Sequence, residues 1–282
     1  MKRFLRLLLC VLLAAALTGA AGAADGTAQT ARVPVLMYHH LREDPGASAM
    51  IVSPARFAEQ MAALAGAGYT AVTADDLIAF VDEGTPLPEK PVWITFDDGY
   101  QSNLDFAAPV LEQNGLKGTI FVIGVSVGKS TYKDTGVPII PHFSFADAKQ
   151  WTDKGILSIG SHTYDMHNVT NLDRGHYRRG VLPRTGESLT DYIAAFRADF
   201  ARSAEGITAG LGGTVRAFAY PFGLHNGVTE GLLREQGVRV TVTIHEGANT
   251  LTQGDPACLY GLNRFNITED VTGDKLLQKL IA

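Results

Sequence analysis

Short apolar runs alternate with amphipathic stretches from residue 33 onward. Val33-Pro34-Val35-Leu36-Met37-Tyr38 reads as a buried strand that ends at His39-His40. Residues 54–65 carry Phe57, Met61 and Leu64 at helical spacing, with Ser53 placed as the cap and Pro54 at the first helical position. Gly66 and Gly68 end that helix, and 69–72 is a short strand. Thr73 then caps a helix through Asp75, Leu77, Ile78 and Val81. The alternation continues with a strand at 92–96, a helix at 103–114 and a strand at 118–123. A helix at 145–154, a strand at 157–160 and a long helix at 189–204 follow. The last part reads as strand 215–220, helix 228–236, strand 238–244, strand 263–267 and a closing helix at 273–280.

Strands alternating with helices predict an α/β fold with a parallel sheet. About seven or eight such units, with no Gly-x-Gly-x-x-Gly turn, fit a distorted (β/α) barrel better than an open dinucleotide-binding sheet. His39, Asp97, Asp98, His162 and Tyr220-Pro221 all fall at or just past predicted strand C-termini, the end where such barrels place chemistry. The long loops 125–143 and 168–188 are placed to line a substrate groove.

Composition narrows the picture without changing it. The 282 residues are 46% hydrophobic and 19% charged, which suits one large domain or two small ones with ample material for a core. A formal net charge of -5 and the lack of a dense basic stripe argue against nucleic acid as a partner. The first residues read differently from the rest. Met1-Lys2-Arg3-Phe4-Leu5-Arg6 is basic, residues 7–17 are apolar, and Ala21-Gly22-Ala23 is a small-x-small cleavage pattern. Residues 1–23 are therefore read as a signal peptide, 24–32 as a linker and 33–282 as the catalytic domain. The apolar run is short for a membrane span, so no stable membrane insertion is expected after cleavage. Cys10 sits too early to be a lipoprotein cysteine, and Cys258, left alone in the mature chain, reads as a packing residue.

The chemistry concentrates in two stretches. Thr95-Phe96-Asp97-Asp98-Gly99 sets adjacent acids at a strand end before a glycine turn. Neighbouring side chains on an extended backbone point apart, so one carboxylate can hold a metal while the other faces a water as base. A calcium loop would need more oxygen ligands, and only Asp105 is close. Ser161-His162-Thr163-Tyr164-Asp165-Met166-His167 offers two imidazoles, which reach one cation only if the backbone turns between them. Asp98, His162 and His167 make a three-ligand divalent site suited to hydrolysis. Asp97 is then the general base, and His39 (or, as an alternative, His40) the acid that protonates the leaving nitrogen. Tyr220, Pro221 and Phe222 form a stiff turn that reads either as a substrate or oxyanion contact, through the Phe222 N–H, or as an apolar turn that closes the barrel mouth. Arg174, Arg178, Arg179 and Arg184, with His176 and Tyr177, read as a solvated basic loop.

These motifs, with Tyr-Pro-Phe-Gly at 220–223, resemble the NodB-homology polysaccharide deacetylases, carbohydrate esterase family 4, over roughly residues 33–270. The resemblance implies a distorted barrel of about seven strands. It implies a base at Asp97, and zinc (or cobalt, nickel or iron) on Asp98, His162 and His167. The implied substrate is an N-acetylated glycan from which acetate is released. The four-residue gap between the histidines looks like the poly-N-acetylglucosamine branch, in which the acid histidine comes from near the N-terminus as if the barrel were circularly permuted. Tyr38-His39 looks like that element. Two departures stand out: Ala219 occupies a position where many members carry an arginine that contacts the base, and Leu262-Asn263-Arg264-Phe265 lacks the usual Leu-x-His. The expected protein is a secreted or cell-envelope hydrolase acting on an N-acetylglucosamine-containing polysaccharide. An O-acetyl esterase, a non-catalytic glycan-binding protein and a non-haem iron oxygenase are the competing readings. The second acid and the barrel pattern disfavour the last.

Overall fold

Seven parallel strands curl into an incomplete barrel. They are β1 (Val35–Tyr38), β2 (Pro91–Phe96), β3 (Gly118–Val122), β4 (Leu157–Ser161), β5 (Ala217–Ala219), β6 (Val240–Val242) and β7 (Phe265–Asn266). The order across the sheet is β6-β5-β4-β3-β2-β1-β7, every neighbouring pair parallel, with Thr70–Ala71 adding a short parallel contact at the start of β2. Leu262, just before β7, bridges to Val242 of β6, so the two open edges meet there. This computed structural model describes residues 28–168, 172–173 and 177–281. The leader read over 1–23, Cys10, Arg174 and His176 lie outside the described residues.

Strand parity divides the core in two. Leu36, Ile94, Ile120 and Phe218 point outward into a cluster with Phe57, Met61, Leu111, Trp151, Phe196 and Leu233. Their neighbours Val35, Trp93, Phe121, Ala217, Ala219 and Val242 point inward and fill the lumen. Burial of each large apolar side chain contributes about 1.5–3 kcal/mol, so both layers resist truncation. The helices that supply the outer layer are α1 (Pro54–Gly66), α3 (Ala108–Gln113), α4 (Phe145–Asp153), α5 (Leu189–Leu211), α6 (Gly227–Glu235) and α7 (Gly273–Ile281), whereas α2 (Ala74–Ile78) packs Ala74, Leu77 and Ile78 into the inner cluster. Side-chain caps start several of them: Ser53, Thr73, Ser144, Ser188 and Asn226 each accept a backbone N–H of the first turn.

Several boundaries differ from the sequence reading. Residues 30–32, read as linker, belong to a strand, Thr30–Val33, that pairs antiparallel with Asn249–Thr252. Val33 and Leu251 join the inner cluster, so this ribbon covers the lumen at the N-terminal end of the strands. The helix read over 103–114 opens with a π-helical turn, Asn103–Ala107, before α3. The last three strands of the sheet are shorter than the stretches 215–220, 238–244 and 263–267 read for them. Finally, α5 continues to Leu211, past the expected stop at 204.

Candidate metal centre and active site

Parity aims the site residues before any of them meets a partner. Tyr38 of β1 pairs with Phe96 of β2, and the Asp97 N–H donates to the Tyr38 carbonyl at 2.9 Å. His39 and Asp97 therefore leave adjacent strands on the lumen side, in phase with Val35 and Trp93. His162 follows β4 in phase with Gly160, the partner of inward-facing Phe121. Arg264 precedes Phe265, which pairs with outward-facing Leu36, so the arginine also enters the lumen. Asp98 is the exception. Its φ is +73° and that of Gly99 is +87°, a sharp turn that swings the Asp98 carboxylate across the top of the sheet. A Cβ on Gly99 would lie 3.0 Å from Val122 Cγ1, so this turn is closed against β3 as well as left-handed.

The turn brings Asp98 to both histidines. Asp98 Oδ1 lies 3.7 Å from His162 Nε2 and 3.7 Å from His167 Nε2, and ligand atoms of all three residues fall within 4.8 Å of one another. That Oδ1 atom is buried and has no hydrogen-bond partner, which is costly for a carboxylate unless a cation completes it. His162 Nδ1–H donates to the Ala219 carbonyl at 2.8 Å, which turns the Nε2 lone pair toward Asp98. Burial lowers the His162 pKa to about 4, so the ring is neutral and ligand-ready at physiological pH. One carboxylate and two imidazoles fit zinc or a similar divalent transition metal rather than calcium. The residues present fit the group.

Asp97 is held differently. Arg264 Nη1 and Nη2 donate to Asp97 Oδ1 and Oδ2 at 2.7 Å each, a buried bidentate pair. Burial alone would raise the Asp97 carboxyl, but Arg264, His162 and His39 outweigh it and hold it well below the ordinary carboxylate range. Arg264 is itself fixed by donating to the Thr243 carbonyl at 2.7 Å and to Thr95 Oγ1 at 3.2 Å. In the sequence Arg264 stands out only as part of a stretch, Leu262-Asn263-Arg264-Phe265, that lacks the Leu-x-His histidine. An arginine between Leu262 and Phe265, in a stretch read as a strand, is the available signal, since a buried guanidinium needs a buried carboxylate.

The remaining candidates separate by position. His39 Nε2 lies 3.8 Å from Asp97 Oδ2, and burial depresses its pKa against the opposing pull of Asp97 and Asp98. His40 faces the other way: its Nδ1 is 2.8 Å from Ser102 Oγ and its ring packs 5.1 Å from that of Tyr100. In the 220–222 turn, the Tyr220 ring is buried between Phe218 and His225, and Pro221 is buried. Their side chains are packing groups and present no surface to a substrate. Phe222, at φ +60°, is 43% exposed and sets its ring 4.4 Å from that of His167. Arg178 is a correction to the solvated-loop reading: it is buried, and it pairs with Glu187 and donates to the Leu182 carbonyl at 2.9 Å. A cavity of about 410 Å³ opens beside the centre, bounded by Asp98, His167, Tyr100, Tyr132, Ile140 and His142. Much of its wall comes from the 125–143 loop.

Residues 84–241 match the sequence model of the family described as polysaccharide deacetylase. The chain belongs to the polysaccharide deacetylase family. Among curated relatives, the putative polysaccharide deacetylase YxkH of Bacillus subtilis is 29% identical over 248 residues, covering 88% of this chain and 75% of YxkH. A poly-beta-1,6-N-acetyl-D-glucosamine N-deacetylase of Staphylococcus aureus is 24% identical over 219 residues, covering 78% and 68%. The solved structure of IcaB from Ammonifex degensii superposes with a TM-score of 0.68 at 27% identity, covering 89% of this chain and 97% of IcaB. The family-matched segment of this deacetylase carries Asp97, Asp98, His162 and His167. His39 and Arg264, from the first and last strands of the barrel, lie outside it.

Proposed function

We propose that this polysaccharide deacetylase is a metal-dependent N-deacetylase of N-acetylglucosamine units in an extracellular or cell-wall glycan, releasing acetate. The observation that carries the reading is the buried, unpartnered Asp98 Oδ1, equidistant from two imidazole nitrogens and next in sequence to a carboxylate of separate function. The relatives named as N-deacetylases of poly-beta-1,6-N-acetyl-D-glucosamine support the substrate class. The leader-like residues 1–23 support a place outside the cytoplasm. Among the described residues, no helix is long and apolar enough to cross a membrane.

Asp98, His162 and His167 would hold the cation, with zinc the first choice and cobalt, nickel or iron as alternatives. When bound, a divalent cation supplies Lewis acidity for water activation and carbonyl polarisation. Asp97 accepts the proton of the attacking water. Arg264 keeps Asp97 ionised and fixes both of its oxygens, leaving the remaining lone pairs for that proton. His39, beside Asp97 at the lumen mouth, delivers a proton to the departing nitrogen as the C–N bond breaks. The oxyanion donor in this reading is the Phe222 backbone N–H, a role supported by the closeness of the Phe222 ring to that of His167. Acetate release from poly-β-1,6-N-acetylglucosamine or chitooligosaccharides tests the proposal. It predicts loss on chelation and recovery with zinc or cobalt. Glycan binding with no acetate from any glycan or acetyl ester would contradict it.

A further inference from the structure

Four residues separate His162 from His167, and that segment has to reverse for both Nε2 atoms to reach Asp98. Thr163 starts the reversal at φ +74°, a backbone state that a β-branched residue keeps only when its surroundings enforce it. The carbonyls of the turn are held from β3's side: Gly124 N–H donates to Thr163 O at 3.0 Å and Val125 N–H to Tyr164 O at 2.8 Å. The N–H groups are held from the opposite side by one carboxylate on α5. Tyr164 N–H donates to Asp199 Oδ1 at 2.8 Å, and Asp165 N–H to Asp199 Oδ2 at 2.7 Å. Arg202, on the next turn of α5, lays its guanidinium 3.9 Å from the centre of the Tyr164 ring.

We infer that Asp199 is a positioning residue for the metal centre, one that fixes the turn between the two histidines and through it the place of His167. The inference rests on the reading of Asp98, His162 and His167 as metal ligands. Asp199 makes its hydrogen bonds to the backbone between the ligands and acts through the turn. A carboxylate suits the task because two successive N–H groups require two acceptor oxygens at once. Asparagine offers one, and sets an N–H₂ against the other donor. Support of this kind around metal ligands typically governs affinity by 10–100-fold.

The test uses the metal-free full chain, titrated with zinc against a competing chelator and with cobalt followed by visible absorption. Asp199→Asn is expected to weaken zinc binding by about 10–100-fold and to shift or weaken the cobalt bands, which report ligand geometry. Glu205→Gln, which removes one negative charge from the exposed face of the same helix, is expected to do neither. Unchanged zinc affinity in Asp199→Asn overturns the inference. So does weaker binding with an unchanged cobalt spectrum, or an equal loss in Glu205→Gln, because either would mean plain attraction of charge. Should Asp199→Asn fail to fold, Asp199→Glu keeps charge and both oxygens on a longer arm. Its cobalt spectrum should still differ from wild type, and an identical one overturns the inference. A wild-type chain that binds no zinc would instead refute the metal centre itself.

Discussion

Among the described residues, four non-glycine residues have left-handed backbones: Asp98, Lys133, Thr163 and Phe222. Three lie in the candidate site, and Lys133 lies in the loop that walls its cavity, paired with Asp165 and Asp173. Strain of this kind, about 1–3 kcal/mol per residue, persists where packing and hydrogen bonds over-determine it. Asp97 and Asp98 show what it accomplishes: one keeps strand geometry and meets Arg264, while the other turns away to the histidines. Asp97→Asn should retain metal and lower turnover by about 10²–10⁴-fold, measured by metal content and acetate release. Near-normal turnover would remove Asp97 from the role of base. Arg264→Met should act through protonation. Arg264 helps hold the Asp97 pKa down, so its loss lets burial push that pKa up, and the acid limb of kcat/KM should move to higher pH. The stability that the lowered pKa contributes is present above about 3.9, the unfolded value, and disappears as pH falls below it. The same change should destabilise the fold by about 3–5 kcal/mol, because Asp97 is left as an uncompensated buried charge. The paired acids and both histidines were legible in the sequence because each sits in a short local pattern. The Arg264 pairing was not, since its partner is 167 residues away and only barrel closure joins them.

The elements were legible where periodicity and caps agreed. Ser53-Pro54 marked the start of α1, and the apolar run ending at Phe96 marked β2. The misreading of α5 has a packing cause. The helix runs past 204 to Leu211, and its glycines, Gly206 and Gly210, lie along the face met by Phe145 of α4. A Cβ on Gly210 would fall 2.6 Å from Phe145 Cβ, whereas one on Gly206 would meet nothing closer than 3.8 Å. Opposite signs follow. Gly206→Ala should stabilise by roughly 0.5–1 kcal/mol through helix propensity. Gly210→Ala should destabilise by about 1–3 kcal/mol, because the Phe145 contact cannot give way without displacing α4. Chemical denaturation of the two variants checks both signs. Stabilisation by both would mean that the α4–α5 contact is loose.

At the level of the whole molecule, sheet order explains why residues so far apart in sequence converge. β7 pairs with β1, and Leu262 just before β7 bridges to β6, so the last strand joins the first to the far edge and the seam of the barrel lies between β6 and β7. Asp97, Asp98, His162 and His167 come from within the family-matched segment, while His39 and Arg264 come from the flanking strands that complete the ring. Alternation of strands and helices made the parallel barrel legible. It did not show the antiparallel ribbon Thr30–Val33 with Asn249–Thr252, because neither short segment has a period of its own and each is held by the other. The polysaccharide deacetylase barrel thus brings Asp98, His162 and His167, the candidate metal site, and the separately held Asp97 carboxylate to one rim. Anomalous diffraction at the zinc edge, from crystals of the zinc-treated protein, tests that arrangement most directly. It predicts one strong peak at about 2.0–2.2 Å from Asp98 and from the Nε2 atoms of His162 and His167. No peak there, or a peak bound by other residues, would contradict it.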